Sequence, residues 1–302
     1  MTAKLLSVCL ITYNHEKYIR DAIEGVLMQK VDFDFDLIIA DDCSTDGTRT
    51  IINEYKQQYP ELIKLILQEK NVGPAKNHMD LITAPKSKYI ALCDGDDYWT
   101  DPLKLQKQLR FLESNPKYVI HSGNAIQLSS DSTINQKTLA NEIADSSFVL
   151  EDFLSNNNIV TSTVMYRNIK FQFPKYYEKV TFGDWFLYVM LMKTSGLKSY
   201  RSKEIYAVYR VHDKGAMSNL SELKICNTHI SQIITVHKYL RKKLSIKEKD
   251  TLNYYFMEKY NLTLKEKIYL EALKTAWSNF RYCRFEMPYR RYLSELKSSL
   301  TN

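Results

Sequence analysis

Long apolar runs, paired cysteines and repeats are what this chain does without. No stretch of 18 apolar residues occurs, so nothing in it reads as a transmembrane helix, and the short apolar opening passes directly into a strand pattern instead of a secretory leader. The expected location is cytoplasmic, either free or peripheral on the inner face of the cytoplasmic membrane. Cys9, Cys43, Cys93, Cys226 and Cys283 are odd in number and contain no C-x-x-C, which favours reduced thiols over disulfides or a zinc site. In that setting the acceptor patterns Asn219-Leu220-Ser221 and Asn261-Leu262-Thr263 would stay unglycosylated. There is no internal repeat and no nucleic-acid-binding module, so no nucleic-acid partner is expected despite a formal charge of +7.

What is present is enough for one large core plus an appendage: 302 residues, 44% of them hydrophobic. The apolar run Leu5–Ile11 leads through Thr12-Tyr13-Asn14-His15 into a patterned helix with Ile19, Ile23, Val26 and Leu27. Leu37–Ala40 then ends in Asp41-Asp42-Cys43-Ser44-Thr45-Asp46-Gly47-Thr48, before a helix from Arg49 to Tyr59. A third strand, Ile63–Leu67, precedes the turn Asn71-Val72-Gly73-Pro74 and a short helix from Ala75 to Leu81. Repeated β-α units imply an α/β fold with a mainly parallel sheet, where ligands sit beyond the carboxyl ends of the strands. Tyr13, Asp42, Asn71 and Asp94 fall at such ends.

The most informative segment is Cys93-Asp94-Gly95-Asp96-Asp97-Tyr98-Trp99, delivered by the buried-strand pattern Tyr89–Leu92. Carboxylates on a turn after a strand suit a hard divalent cation, Mn²⁺ or Mg²⁺, and through it a diphosphate. The competing reading is an acidic surface turn before a helix near Pro102.

Taken in order, Thr12-Tyr13-Asn14, Asp41-Asp42-Cys43-Ser44-Thr45-Asp46, Asn71-x-Gly73-x-x-Lys76-Asn77 and Asp94-Gly95-Asp96-Asp97 resemble glycosyltransferase family 2, over residues 5 to about 218. The resemblance implies a GT-A (Rossmann-like) fold, a nucleotide-sugar donor and inversion at the anomeric carbon. It also implies a donor site made by Thr12, Tyr13, Asn14, Asp42, Asn71, Gly73, Lys76, Asp94 and Gly95. Tyr13 would flank the base, and Asp42 would accept from a pyrimidine imide, which favours a UDP-sugar because neutral cytosine lacks that proton. Asp41 is the weaker partner and a candidate helix cap. Lys76 lacks the bidentate fork of arginine, and reads first as a solvent-facing helix residue and second as a phosphate contact. Asp96 is the leading metal ligand, with Asp94 and Asp97 beside it.

Thr181-Phe182-Gly183-Asp184-Trp185 resembles the block that supplies the family's base, which would make Asp184 catalytic, with plain N-capping as the alternative. Trp185 and Trp99 are acceptor-binding candidates; Trp185 reads first as core packing below the acceptor site and second as a sugar-stacking wall. In Tyr206-x-x-Tyr209-Arg210-Val211-His212, His212 would join the metal or the diphosphate, or else be a hydrogen-bonded surface imidazole, and Arg210 would be a phosphate clamp or a strand-edge charge. Residues 129–148, rich in Ser, Thr, Asn and Asp, suggest a mobile loop.

The division expected is a catalytic domain over 1–218 and a basic amphipathic helical extension over 219–302, which holds 16 Lys and Arg against 8 Asp and Glu. Ser245-x-x-Glu248 and Thr263-x-x-Glu266 read as capping boxes, and Pro288 precedes a last helix from Tyr289 to Leu300. Lys238, Arg241, Lys242, Lys243, Arg281, Arg284, Arg290 and Arg291, interleaved with Tyr239, Tyr282, Phe285, Tyr289 and Tyr292, suit an anionic membrane surface carrying a lipid-linked acceptor, and suit solvated helices equally. Self-association of the chain is a further option. The function expected is a metal-dependent, inverting hexosyltransferase acting on a glycan or glycolipid in bacterial surface polysaccharide synthesis. Two alternatives stand beside it: a sugar-nucleotide nucleotidyltransferase, which should open with a glycine-rich loop where Thr12–His15 has no glycine, and a non-catalytic membrane-assembly scaffold.

Overall fold

The computed structural model describes residues 4–129, 134–138, 144–213, 215, 218, 220–284 and 288–301. It divides into two compact units, one of residues 1–153 and 157–212, the other of 154–156 and 213–302.

In the first unit, β1 (Leu6–Thr12), α1 (Ile19–Leu27), β2 (Phe35–Asp41), α2 (Thr48–Gln58), β3 (Ile63–Leu67), α3 (Pro74–Thr83) and β4 (Tyr89–Asp94) are consecutive β-α units. The first, second and fourth strands are buried along almost their whole length, as expected of parallel strands covered on both faces. Next come β5 (Tyr98–Trp99), α4 (Lys104–Ser114), β6 (Tyr118–Leu128), β7 (Ile134–Thr138), β8 (Ser146–Phe148), β9 (Met165–Arg167), α5 (Gly183–Ser195) and β10 (Lys198–Arg210). The sheet order is β3-β2-β1-β4-β9-β6-β10-β5, with β7 on β6 and β8 on β10. β1 to β4 run parallel to one another, and β9 is antiparallel to both of its neighbours. Leu6, Val8, Leu10, Ile23, Leu37 and Ile39 are among the side chains that form its core.

Register is what builds the site. Thr12 is level with Asp41 across one edge of β1, and Ile11 with Asp94 across the other, so the loops after β1, β2 and β4 open side by side. The expected loop over 129–148 instead contributes two strands, β7 and β8, each hydrogen-bonded to a longer neighbour; the rest of that stretch, 130–133 and 139–143, lies outside the described residues.

Among the described residues the second unit has four helices: α6 (Glu222–Leu240), α7 (Ile246–Lys265), α8 (Tyr269–Cys283) and α9 (Tyr289–Thr301). Ser245 and Glu248 form the expected capping box of α7. The second expected box is not one: Thr263 lies inside α7, where its hydroxyl donates to the Tyr260 carbonyl at 2.8 Å, and Glu266 follows that helix's end. Met257, Tyr260, Leu264, Ala272 and Tyr292 make a small core. Tyr292, expected on a basic surface, is buried there and accepts a hydrogen bond on its hydroxyl from Asn279 at 2.9 Å. Phe285 and Asn219 lie outside the described residues.

Candidate active site

The loops after β1 and β2 are tied to each other by side chains. Asn14 and Cys43 both adopt left-handed backbone angles, φ 57° and 60°. Asn14 donates its N–H to Ser44 Oγ at 2.8 Å, and its Oδ1 accepts the Thr45 N–H at 2.8 Å. Asp41 is fully buried and holds the Ser44 N–H and the Arg49 guanidinium, so it braces the loop and does not cap α2. Gly47 is the N-cap residue of that helix, and Asp46, just before it, accepts the Thr48 N–H at 3.0 Å. Tyr13 stands at the rim with 42% of its surface exposed, as a base-flanking ring requires.

Asp42 organises the third loop. Its Oδ1 accepts the Val72 N–H at 2.7 Å and its Oδ2 the Gly73 N–H at 3.0 Å, while Asn71 Nδ2 donates to the Asp42 carbonyl at 3.3 Å. Burial pushes the Asp42 carboxyl above the usual range, against the pull of those two N–H groups. Gly73 has φ 85°, which a side chain would strain, and leads into α3. Lys76 pairs with Asp80 one turn along α3, the helix-surface reading of that residue.

At the end of β4 the chain turns tightly against β1. The Gly95 N–H donates to the Ile11 carbonyl at 2.9 Å, and a Cβ on Gly95 would come within 2.8 Å of Thr12 Oγ1 and His15 Nδ1, so only glycine fits. Asp96 Oδ2 lies 3.1 Å from His212 Nε2 and 3.7 Å from His15 Nε2. Arg210 straps this turn to β10. Its N–H donates to Asp97 Oδ1 at 3.0 Å, its Nη1 donates to the Asp96 carbonyl at 3.1 Å, and its guanidinium pairs with Asp21 and lies 4.4 Å from the Tyr98 ring centroid. It is therefore a strut, which answers the choice between clamp and edge charge.

Burial, and then the charges of Asp96 and Asp184, push the Asp94 carboxyl up. Burial likewise raises Asp97, with Asp96 and Asp94 adding to it, and Asp97 Oδ2 is buried without a hydrogen-bond partner. Burial works to raise Asp96 too, but the His212 hydrogen bond and the neighbouring His15 outweigh it and hold that carboxyl low. Negative charge crowded into a poorly solvated turn, with one orphaned oxygen, is chemistry that a divalent cation relieves. Among the described residues no three His, Cys, Asp or Glu side chains form a complete cage. The donors fit an ion that takes Asp96 and His212 from the protein and its remaining oxygens from a diphosphate and water.

Asp184 is in the first turn of α5, a helix whose residues Trp185 to Met192 are all buried. Its side chain caps nothing. Oδ2 accepts from Thr161 Oγ1 at 2.6 Å and from Asn157 Nδ2 at 3.2 Å. Asp184, Asp94 and Asp97 line one cavity of about 390 Å³, together with Asn157, Thr161 and Tyr209. Trp99 and Trp185 are each 2% exposed, and their indole N–H groups donate to the Ser162 and Phe153 carbonyls at 2.6 and 2.7 Å. Neither has a face to offer a sugar, so both are packing residues and their acceptor-binding assignment is corrected. His15, Asn157 and Thr161 were not anticipated; the one signal in the sequence was the position of His15 directly after Thr12-Tyr13-Asn14.

A family model described as Glycosyl transferase family 2 matches residues 7–174. A Mycobacterium tuberculosis protein is 37% identical over 217 residues, 70% of this chain and 60% of its own length, so this chain spans about three-fifths of that relative. The putative teichuronic acid biosynthesis glycosyltransferase TuaG of Bacillus subtilis is 31% identical over 218 residues, 71% of this chain and 82% of its own. The Escherichia coli UDP-Glc:alpha-D-GlcNAc-diphosphoundecaprenol beta-1,3-glucosyltransferase WfaP is 26% identical over 253 residues, 79% and 90% of the two chains. Among solved structures, S. aureus TarS 1-349 in complex with UDP-GlcNAc superposes with a TM-score of 0.65 at 16% identity, covering 97% of this chain and 88% of that one. The Pyrobaculum calidifontis mannosyltransferase PcManGT, in complex with GDP-Man and Mn2+, gives 0.57 at 14% identity, covering 99% and 88%. At those identities the likeness establishes the GT-A type of fold.

Proposed function

Because this chain belongs to glycosyltransferase family 2, we propose that it moves a sugar from a UDP-sugar to a glycan or lipid-linked acceptor, with inversion, in the synthesis of a bacterial surface polysaccharide such as a capsule or lipopolysaccharide. The observation that carries this reading is the single cavity that Asp94 and Asp97, at the end of β4, share with Asp184, at the start of α5. Two of those carboxylates belong to the acidic turn at which a diphosphate would sit; the third stands apart on its own helix.

Tyr13 flanks the uracil ring at the rim. Asp42 keeps a lone pair on each oxygen beside the backbone N–H it already accepts, enough to take the imide proton donor of uracil. Asp96 and His212 would hold Mn²⁺ or Mg²⁺, which when bound would offset the charge of the departing diphosphate. Asp94 and Asp97 shape the turn around that position. Asp184 accepts the proton of the acceptor hydroxyl as its oxygen attacks the anomeric carbon. Thr161 and Asn157, both bonded to Oδ2, hold the carboxylate so that Oδ1 faces the work. That relatives named for teichuronic acid and diphosphoundecaprenol-linked substrates align along most of this chain supports a surface-glycan acceptor.

No described helix is long and apolar enough to cross a membrane. Incubation with a panel of nucleotide sugars and Mn²⁺ tests the reading. UDP released from a UDP-sugar is the expected result, and pyrophosphate exchange, or no release from any donor, would contradict it.

A further inference from the structure

α8 packs through Ala272, Thr275, Asn279 and Cys283, all buried. Its opposite face carries Leu270, Leu273, Trp277 and Phe280, spaced three and four residues apart and all exposed. Trp277 is 70% exposed and stacks on Phe280, with ring centroids 5.8 Å apart. Arg281 and Arg284 continue that face toward the C-terminal end of the helix. There they line a cavity of about 660 Å³ together with Lys238, Arg241, Lys242 and Lys249. Seven Lys and Arg side chains and no acidic one line it among the described residues. His237, also in its wall, is buried with neither ring nitrogen hydrogen-bonded.

We propose that this unit docks on an anionic lipid surface, with lipid phosphates in the basic cavity and the Leu270–Leu273–Trp277–Phe280 face in the boundary between head groups and acyl chains. An apolar stripe alone would suit a second copy of the chain, and a basic cavity alone a soluble phosphate. Side by side at the C-terminal end of α8, where Arg281 and Arg284 join basic residues from α6, α7 and the segment between them, they match an amphiphile with an anionic head. Pairing with a second copy through this stripe would bring two such cationic cavities toward each other, where like charges closer than a Debye length of about 10 Å repel. Basic residues beside exposed Trp, Phe and Leu are the composition of a helix lying in the plane of a membrane. The inference stands independently of the donor assignment.

The fluorescence of the full chain reports on it directly, because Trp99 and Trp185 are buried and Trp277 is the exposed member of the three tryptophans. Vesicles of phosphatidylcholine with roughly one-third phosphatidylglycerol should shift Trp277 emission to the blue at low salt, and brominated lipid should quench it. Phosphatidylcholine alone should do neither. The double variant Arg281→Gln/Arg284→Gln should bind such vesicles about 30-fold more weakly, the effect of two surface charges, with an unchanged melting temperature. Trp277→Ser should lose the shift and weaken binding while UDP release continues. The proposal is overturned if anionic vesicles leave the emission unchanged at low salt, or if neutral and anionic vesicles bind equally. It is overturned also if the blue shift grows with protein concentration in the absence of lipid, which would mark the stripe as a contact between copies.

Discussion

Thr161 Oγ1 donates to Asp184 Oδ2 at 2.6 Å, linking the single 3-10 turn Thr161–Thr163 before β9 to the first turn of α5. An Asp there is well placed to cap its own helix, and this one does not. Its carboxylate is turned toward residues 157 and 161 and into the cavity shared with Asp94 and Asp97.

If Thr161 serves to aim that carboxylate, Thr161→Val should lower kcat by about tenfold, the effect of one hydrogen bond to a charged group, and leave the affinity for UDP unchanged. Steady-state kinetics beside calorimetric titration with UDP separate the two. An unchanged kcat would make the Thr161 bond incidental.

Asp96 and His212 are assigned to the cation. Asp96→Asn should abolish the Mn²⁺-dependent part of UDP affinity together with turnover, and chelation should bring the wild type to the same weak binding. UDP affinity that ignores both the substitution and the chelator would remove the metal from this turn.

Asp42 holds the Val72 and Gly73 N–H groups, and each of its oxygens keeps a lone pair for the base. Asp42→Ala should therefore weaken UDP binding by about tenfold or more and erase preference for UDP over CDP, because the 71–73 loop loses its anchor and the imide its acceptor. Competitive titration with the two nucleotides checks it, and a preserved preference would place base recognition elsewhere.

Two buried histidines set an acid limit on stability. Burial lowers His78 to about 4 and, with the Lys104 charge adding to it, His121 to about 3. In the unfolded chain each protonates near 6.5, so between that value and its folded pKa the unfolded state binds the extra proton, and stability falls as pH falls. At pH 5 each costs about 2 kcal/mol relative to pH 8. Thermal or urea melts of His121→Gln at pH 8 and pH 5 should show a smaller loss on acidification than the wild type. An identical loss would mean that His121 protonates without unfolding.

The sequence made the parallel core and its loop ends legible because these are local patterns: apolar β-rich runs, a turn string and a helix start, three times over. Ile63–Leu67 was placed to the residue, and Asp42, Gly73, Gly95 and Asp96 could be named from their strings. The convergence of His15 and His212 on Asp96 was not legible in full, because 116 residues separate Asp96 from His212 and it is the pairing of β5, just after the acidic turn, with β10 that brings them together. Asn157 sits in irregular chain and Thr161 in a single 3-10 turn, both too short for any periodicity to mark them. Trp99 and Trp185 illustrate the reverse error, since an aromatic beside an acidic string reads alike whether it faces solvent or core. Thr263-x-x-Glu266 was misread because the string of a capping box also occurs at a helix's other end.

The central claim is that Asp184 takes the acceptor's proton while the acidic turn holds the donor. Its most direct test is transfer by Asp184→Asn from the UDP-sugar identified in the donor panel, measured alongside Mn²⁺-dependent UDP affinity. The substitution keeps the shape of the side chain and removes its basicity, so transfer should fall by about two to four orders of magnitude with UDP affinity unchanged. Transfer at the wild-type rate would contradict the account.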